Sequence, residues 1–166
     1  MAGLRLPGPE KVYASYFVAL AIATVAAGTL STVAQVALWL LFTDAWPAIL
    51  LRDARLAAAL VMGPSVLPPP ASFDPVVMGV ATVVHFALSF VYTALIAWLV
   101  GHRAAGRAVV LGAASGVALY VVNLHGFTLV FPWFAQTRDW ITLAAHVAFG
   151  VVAATAWVQA KPRRVA

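Results

Sequence analysis

The amino-acid sequence predicts an all-α membrane protein: four transmembrane helices in a bundle, with an amphipathic interfacial helix in the outer loop between the first two spans. Composition is the first ground. Apolar residues make up 64% of the chain and charged residues 9%, against roughly 45 to 50% and ~25% in soluble domains, so polar groups are too few to cover the surface. Length is the second. Four uncharged stretches, 12–43, 75–101, 108–131 and 140–160, each reach the ~20 residues a helix needs to cross ~30 Å of hydrocarbon. The prolines are the third, because all ten fall outside these stretches or at their edges and leave every helix interior intact. Helix is the expected form, since lipid offers no partner to a free backbone group. Residues 1–166 then form a single membrane domain, with little chain left for a soluble one.

The first run follows Lys11 and is far longer than the ~7 to 15 apolar residues of a signal-peptide core, so it is expected to be an uncleaved anchor. The connection 44–73 is long for a structureless loop. A helix over about 47–62 is expected there, opened by Pro47 and closed by Gly63 and Pro64. Leu50, Leu51, Ala54, Ala57, Ala58 and Val61 would share its apolar face, with Arg52, Asp53 and Arg55 opposite. Such a helix should lie on the membrane surface or cap the bundle, because its charges are costly at mid-depth. Residues 67–71, with three consecutive prolines, form a stiff linker. Asp74 and Pro75 then supply an N-cap and a first helical position for the second span, and Asp139 caps the fourth.

Sidedness follows from basic residues in short loops. Arg5, Lys11, Arg103, Arg107, Lys161, Arg163 and Arg164 collect at one end, and Arg52, Arg55 and Arg138 at the other. This bias places both termini in the cytoplasm. Trp46, Trp133 and Trp140 would mark the outer interface, and Trp98 and Trp157 the inner one. The formal charge of +5 sits at the ends of apolar runs rather than on one stripe. The expected partner is therefore the lipid bilayer and not nucleic acid. The absence of cysteine excludes disulfides, thiolate metal sites, iron–sulfur clusters and cysteine nucleophiles.

Helical spacing of ~100° per residue sorts the polar side chains into faces. Thr24, Gly28, Ser31, Thr32 and Gln35 share one on the first span, and Thr82, His85, Ser89 and Tyr92 one on the second. On the fourth, Asp139, Thr142, His146 and Gly150 align. On the third, Gly112, Gly116 and Asn123 align, while His125 lies about 200° from Asn123. The simplest role is packing: Gly28, Gly112, Gly116 and Gly150 let helices approach, and Gln35, Ser89, Tyr92, Asn123 and Thr142 form a polar intramembrane cluster that bonds across them. Gly112 and Gly116 make a GxxxG pattern that would serve within one chain or between two.

The histidines carry a sharper alternative. Counted inward at ~1.5 Å per residue, His125 and His146 lie about 9 to 10 Å deep and His85 about 16 Å deep. As cofactor-binding candidates, these three could hold a haem or a metal ion, or relay protons, and neither cofactor is favoured. Hydrogen bonding to a neighbouring helix is the simpler use of each imidazole. No Asp or Glu lies within the four spans, which argues against carboxylate-coupled transport. Ser115 lies in the inner half, away from the outer histidines, which argues against a serine protease; no phosphate-binding glycine loop is present.

Two stretches, Phe42-Thr-Asp-Ala-Trp-Pro-Ala-Ile-Leu-Leu-Arg-Asp-Ala-Arg55 and Asn123-Leu-His-Gly-Phe continuing through Phe131-Pro-Trp-Phe-Ala-Gln-Thr-Arg-Asp-Trp140, carry a resemblance. They resemble small bacterial inner-membrane proteins labelled "sodium:proline symporter" and, more distantly, YagU-like proteins. That resemblance covers most of the chain, implies a multi-pass protein of the bacterial inner (plasma) membrane, and brings no active-site motif. Three functions stay open. The favoured one is a non-catalytic accessory or interaction protein, in a homo-oligomer or a larger membrane complex, using the outer helix and the Gly112 and Gly116 face. The others are a haem- or metal-binding redox protein using His85, His125 and His146, and a small oligomeric transporter with a pathway at the level of Gln35, His85 and Asn123. No residue is assigned a catalytic role, and an enzyme is not favoured.

Overall fold

The structure, a computed structural model, describes residues 8–162; the basic residues Arg5, Arg163 and Arg164 lie outside them. Helices run α1 (Pro9–Phe42), α2 (Ala48–Met62), α3 (Pro75–Val100), α4 (Ala105–Val121) and α5 (Trp140–Ala160), with no strand among the described residues. Four helical segments are long and apolar enough to cross a membrane: Glu10–Phe42, Pro75–Val100, Ala105–Leu129 and Trp140–Ala160. The chain is a multi-pass, all-α bundle.

Helix ends form where the sequence places caps. Asp74 Oδ1 accepts from the backbone N–H of Val76 at 2.8 Å and Val77 at 3.1 Å, with Pro75 opening the helix. Asp139 Oδ1 accepts from Thr142 N–H at 2.8 Å in the same way. These bonds satisfy amides that have no partner inside the helix. Gly63 ends α2 at φ +79°, a left-handed backbone conformation that a Cβ would strain.

Helix α5 is central and packs along both α1 and α4, with α3 across it. Small residues permit this. Ala19, Ala23 and Ala27 recur every four residues on α1 and are fully buried, as are Ala153 and Ala154 on α5. On the other flank, Gly112 and Gly116 of α4 meet α5 backbone to backbone: a Cβ on Gly112 would collide with the Gly150 carbonyl, and one on Gly116 with the His146 carbonyl. These glycines face inward, within the chain.

The two ends of the bundle are distinct. At one, Tyr16 of α1 meets Trp157 of α5 with ring centroids 6.0 Å apart, and Lys161 Nζ donates to the Gly101 carbonyl at 2.7 Å. The start of α1, the end of α5 and the α3–α4 turn therefore share that end. At the opposite end Phe42 and Trp140 pack edge to face at 5.2 Å. Here α2 lies, leaning on α3 through Ala58, Val77 and Ala81.

Two elements depart from the sequence-based expectation. The stretch 108–131 is expected to be one continuous helix, but α4 gives way at Val122–Gly126 to a π-helical turn and then to a 3₁₀ turn over Phe127–Leu129. Arg138 supports the change: its Nε donates to the Leu124 carbonyl at 2.6 Å and its Nη2 to Thr128 Oγ1 at 2.7 Å. In α2 the buried residues are Leu56, Ala58 and Ala59, whereas Val61, expected on the apolar face, is 72% exposed. Ala54, Ala57 and Ala58 of the expected apolar face pack on α3, while the flank of α2 that carries Asp53, Leu56 and Leu60 turns toward the bundle interior.

Candidate functional site

Beneath α2, at the end of the bundle that carries Trp140, the helices line a half-open cavity of about 470 Å³. Every long helix except α4 itself contributes: Gln35 from α1, Asp53, Leu56 and Leu60 from α2, Leu88 and Tyr92 from α3, Thr142 and His146 from α5. The turns after α4 add Asn123, Leu124, Phe127, Phe131 and Phe134. A smaller cavity of about 210 Å³ shares Gln35, Tyr92, Asn123 and His146 and is lined further by His85 and Ser89. The expected polar cluster of Gln35, Ser89, Tyr92, Asn123 and Thr142 is thus distributed over the walls of two adjoining cavities.

A directional hydrogen-bond chain crosses them. Tyr92 Oη donates to Asn123 Oδ1 at 2.7 Å, and Asn123 Nδ2 lies 3.3 Å from His146 Nε2. His146 Nδ1 is 2.8 Å from the Thr142 carbonyl. A carbonyl can only accept, so the network assigns the proton to Nδ1 and leaves Nε2 to accept from Asn123. Three helical segments are tied together through the Asn123 side chain. Gln35 makes no hydrogen bond among the described residues, and the buried Thr142 Oγ1 has no partner. Both residues line the cavity wall, Gln35 half-buried with its amide unused and Thr142 with its hydroxyl enclosed.

His85 is engaged differently. Its Nε2 donates to the Gly28 carbonyl of α1 at 3.2 Å, beside Thr32 Oγ1 at 3.5 Å. Gly28 makes room for that contact, since a Cβ there would press on Phe86 at 3.0 Å and on His85 Nε2 at 3.2 Å. His125 is exposed on the far side of Tyr120, whose ring lies 5.8 Å from His125 and 5.7 Å from His146. The three histidines are not brought together: among the described residues no group of three His, Cys, Asp or Glu side chains is placed to hold a metal ion. Ligation of a haem or metal by His85 and His146 through Nε2 would require both of these hydrogen bonds to break.

Asp53 is the residue that the sequence pattern misplaces. Expected on the solvent face of the outer helix, it lines the cavity instead, with its side chain 19% exposed. Burial pushes its carboxyl up to about 6, outweighing the Arg52 guanidinium beside it, and Asp139 adds to the rise. Arg52 places both Nε, at 2.8 Å, and Nη2, at 2.7 Å, on Oδ1. Oδ2 has no hydrogen bond among the described residues. The neighbouring Arg55 turns the opposite way and clasps the Val66 and Ser72 carbonyls, each at 2.9 Å, while Trp133 Nε1 donates to the Leu56 carbonyl at 3.2 Å. These bonds hold α2 over the cavity.

A signal for this insertion does exist in the sequence. Ala54 and Ala58, four residues apart with Ala57 between them, offer α3 a face of small side chains. Against known proteins, no family model, no curated protein and no solved structure matches this chain.

Proposed function

We propose that this chain is a non-catalytic, four-span protein of the bacterial inner membrane, with both termini cytoplasmic, that binds a small molecule in the outer half of its bundle. The cavity of about 470 Å³ under α2 carries the proposal. Its volume lies in the range of small-molecule sites, and its lining, mostly apolar with a few convergent polar groups, has the usual composition of one. The sidedness is supported by the grouping of Lys11, Arg103, Arg107 and Lys161 at the end opposite Arg52, Arg55 and Arg138. Association with further chains would use lipid-facing surfaces, because Gly112, Gly116 and Gly150 are occupied with one another.

Purification in mild detergent, followed by solvent extraction and mass spectrometry of retained small molecules, tests this function. A colourless protein that retains or takes up a small organic molecule, and loses it on Leu60→Trp substitution, is the expected result. A haem absorption band or stoichiometric metal, abolished when His85 and His146 become Ala, would replace it with a redox function.

A further inference from the structure

We infer that the ligand of the cavity under α2 is a lipophilic organic cation, with its ammonium on Asp53 and its hydrocarbon body among the surrounding leucines and phenylalanines; this rests on the small-molecule binding proposed above. Charge is the first argument. Among the described residues Asp53 is the one carboxylate lining the cavity, and no Lys or Arg lines it. The nearest cation, Arg52, occupies only Oδ1 and leaves Oδ2 with acceptor capacity unused. A buried carboxylate with a free oxygen favours an ammonium there over any anion, and a cation would relieve the cost of keeping Asp53 charged away from water.

The walls supply the second argument. Tyr92, Phe127, Phe131 and Phe134 present aromatic rings to the space, which suits a cation both as apolar surface and through the negative face of each ring. Leu60 and Leu88 complete an apolar sleeve for an alkyl or aryl group. The other titratable groups around Asp53 do not oppose the guest. Asp139 at the start of α5 adds negative charge, while His146 and Tyr92 are held in the hydrogen-bond chain. On α3, His85 donates to Gly28, and on the outer side Arg55 is committed to Val66 and Ser72.

Three probes with one skeleton test the inference: 4-phenylbutylamine, 4-phenylbutanol and 4-phenylbutyrate, measured by equilibrium dialysis at about pH 8.5, where carboxylate and amine are both charged. The full-length protein in detergent micelles is used, with protein-free micelles subtracted. The amine is expected to bind about tenfold tighter than the alcohol, and the butyrate weakest. Asp53→Asn should bring amine and alcohol to equal affinity, with both still bound. Arg52→Gln, which frees the whole carboxylate, should tighten the amine several-fold and serves as an independent check should Asp53→Asn fail to fold. Equal binding of amine and alcohol to the unaltered protein, or an amine preference that survives Asp53→Asn, overturns the cation assignment and leaves the small-molecule function standing. Binding of none of the three overturns both.

Discussion

The Tyr92 hydroxyl donates to Asn123 Oδ1 at 2.7 Å and so ties the middle of α3 to the π-helical turn that follows α4. Because Asn123 also reaches His146, this bond is one link of a chain rather than an isolated pair. Tyr92→Phe should lower stability by ~0.6 to 1.5 kcal/mol, as expected of one hydrogen bond between membrane helices. Asn123→Leu should cost more, about 1 to 3 kcal/mol, because it also strands His146 Nε2. The double variant should be less damaging than the sum of the two, and thermal unfolding in detergent reads all three.

Glycine positions separate contact from conformation. A Cβ on Gly150 would collide with the Gly112 carbonyl, whereas one on Gly79 of α3 meets nothing within 4 Å. Gly150→Ala should therefore cost upwards of ~3 kcal/mol or prevent folding. Gly79→Ala should be neutral or stabilising by up to ~1 kcal/mol, since alanine is the better helix former. Expression yield and melting temperature of the two variants provide the comparison.

Asp53 makes stability depend on pH. Its folded value of about 6 lies above the ordinary 3.8, so ionisation is harder in the folded state than in the unfolded one. The folded protein then holds the proton over this window, and stability falls as pH rises. No cost is present below the ordinary value, and the full cost, at most ~3 kcal/mol, is reached above the raised one. The melting temperature should rise on acidification from about pH 7 to about pH 5, and Asp53→Asn should flatten the profile over that interval. An unchanged profile in the variant would assign the dependence to another group.

Thr93 is fully buried, and its Oγ1 has no hydrogen-bond partner among the described residues. Thr93→Val keeps the shape and removes an unsatisfied hydroxyl, which should add ~1 kcal/mol of stability and raise the melting temperature by a few degrees. Thr142, whose Oγ1 is also unpartnered, lines the cavity, so Thr142→Val should alter ligand binding as well as melting.

The spans were legible because length and proline exclusion are properties of each segment taken alone: α3 and α5 begin at Pro75 and Trp140, beside the aspartates that cap them. Facing was legible where the helix is regular. Gly112 and Gly116 share the face of α4 that meets α5, as helical spacing requires, and Asn123, just past the end of that helix, still reaches His146. The π-helical turn was not legible, since its support from Arg138 reaches back 14 residues to Leu124. Asp53 was missed for a related reason. Hydrophobic periodicity places a charge toward water, but the packing of Ala58 on Val77 and Ala81 decides which way α2 turns.

The glycine seam between α4 and α5 sets a boundary on traffic through the molecule. Gly116 abuts the carbonyl of His146, whose imidazole forms part of the cavity wall, so backbone meets backbone immediately below the chamber. A guest could descend along that seam only if two helices parted by the width of a side chain. Along this line main chain, and not side chain, bars the way, a barrier that only glycine permits.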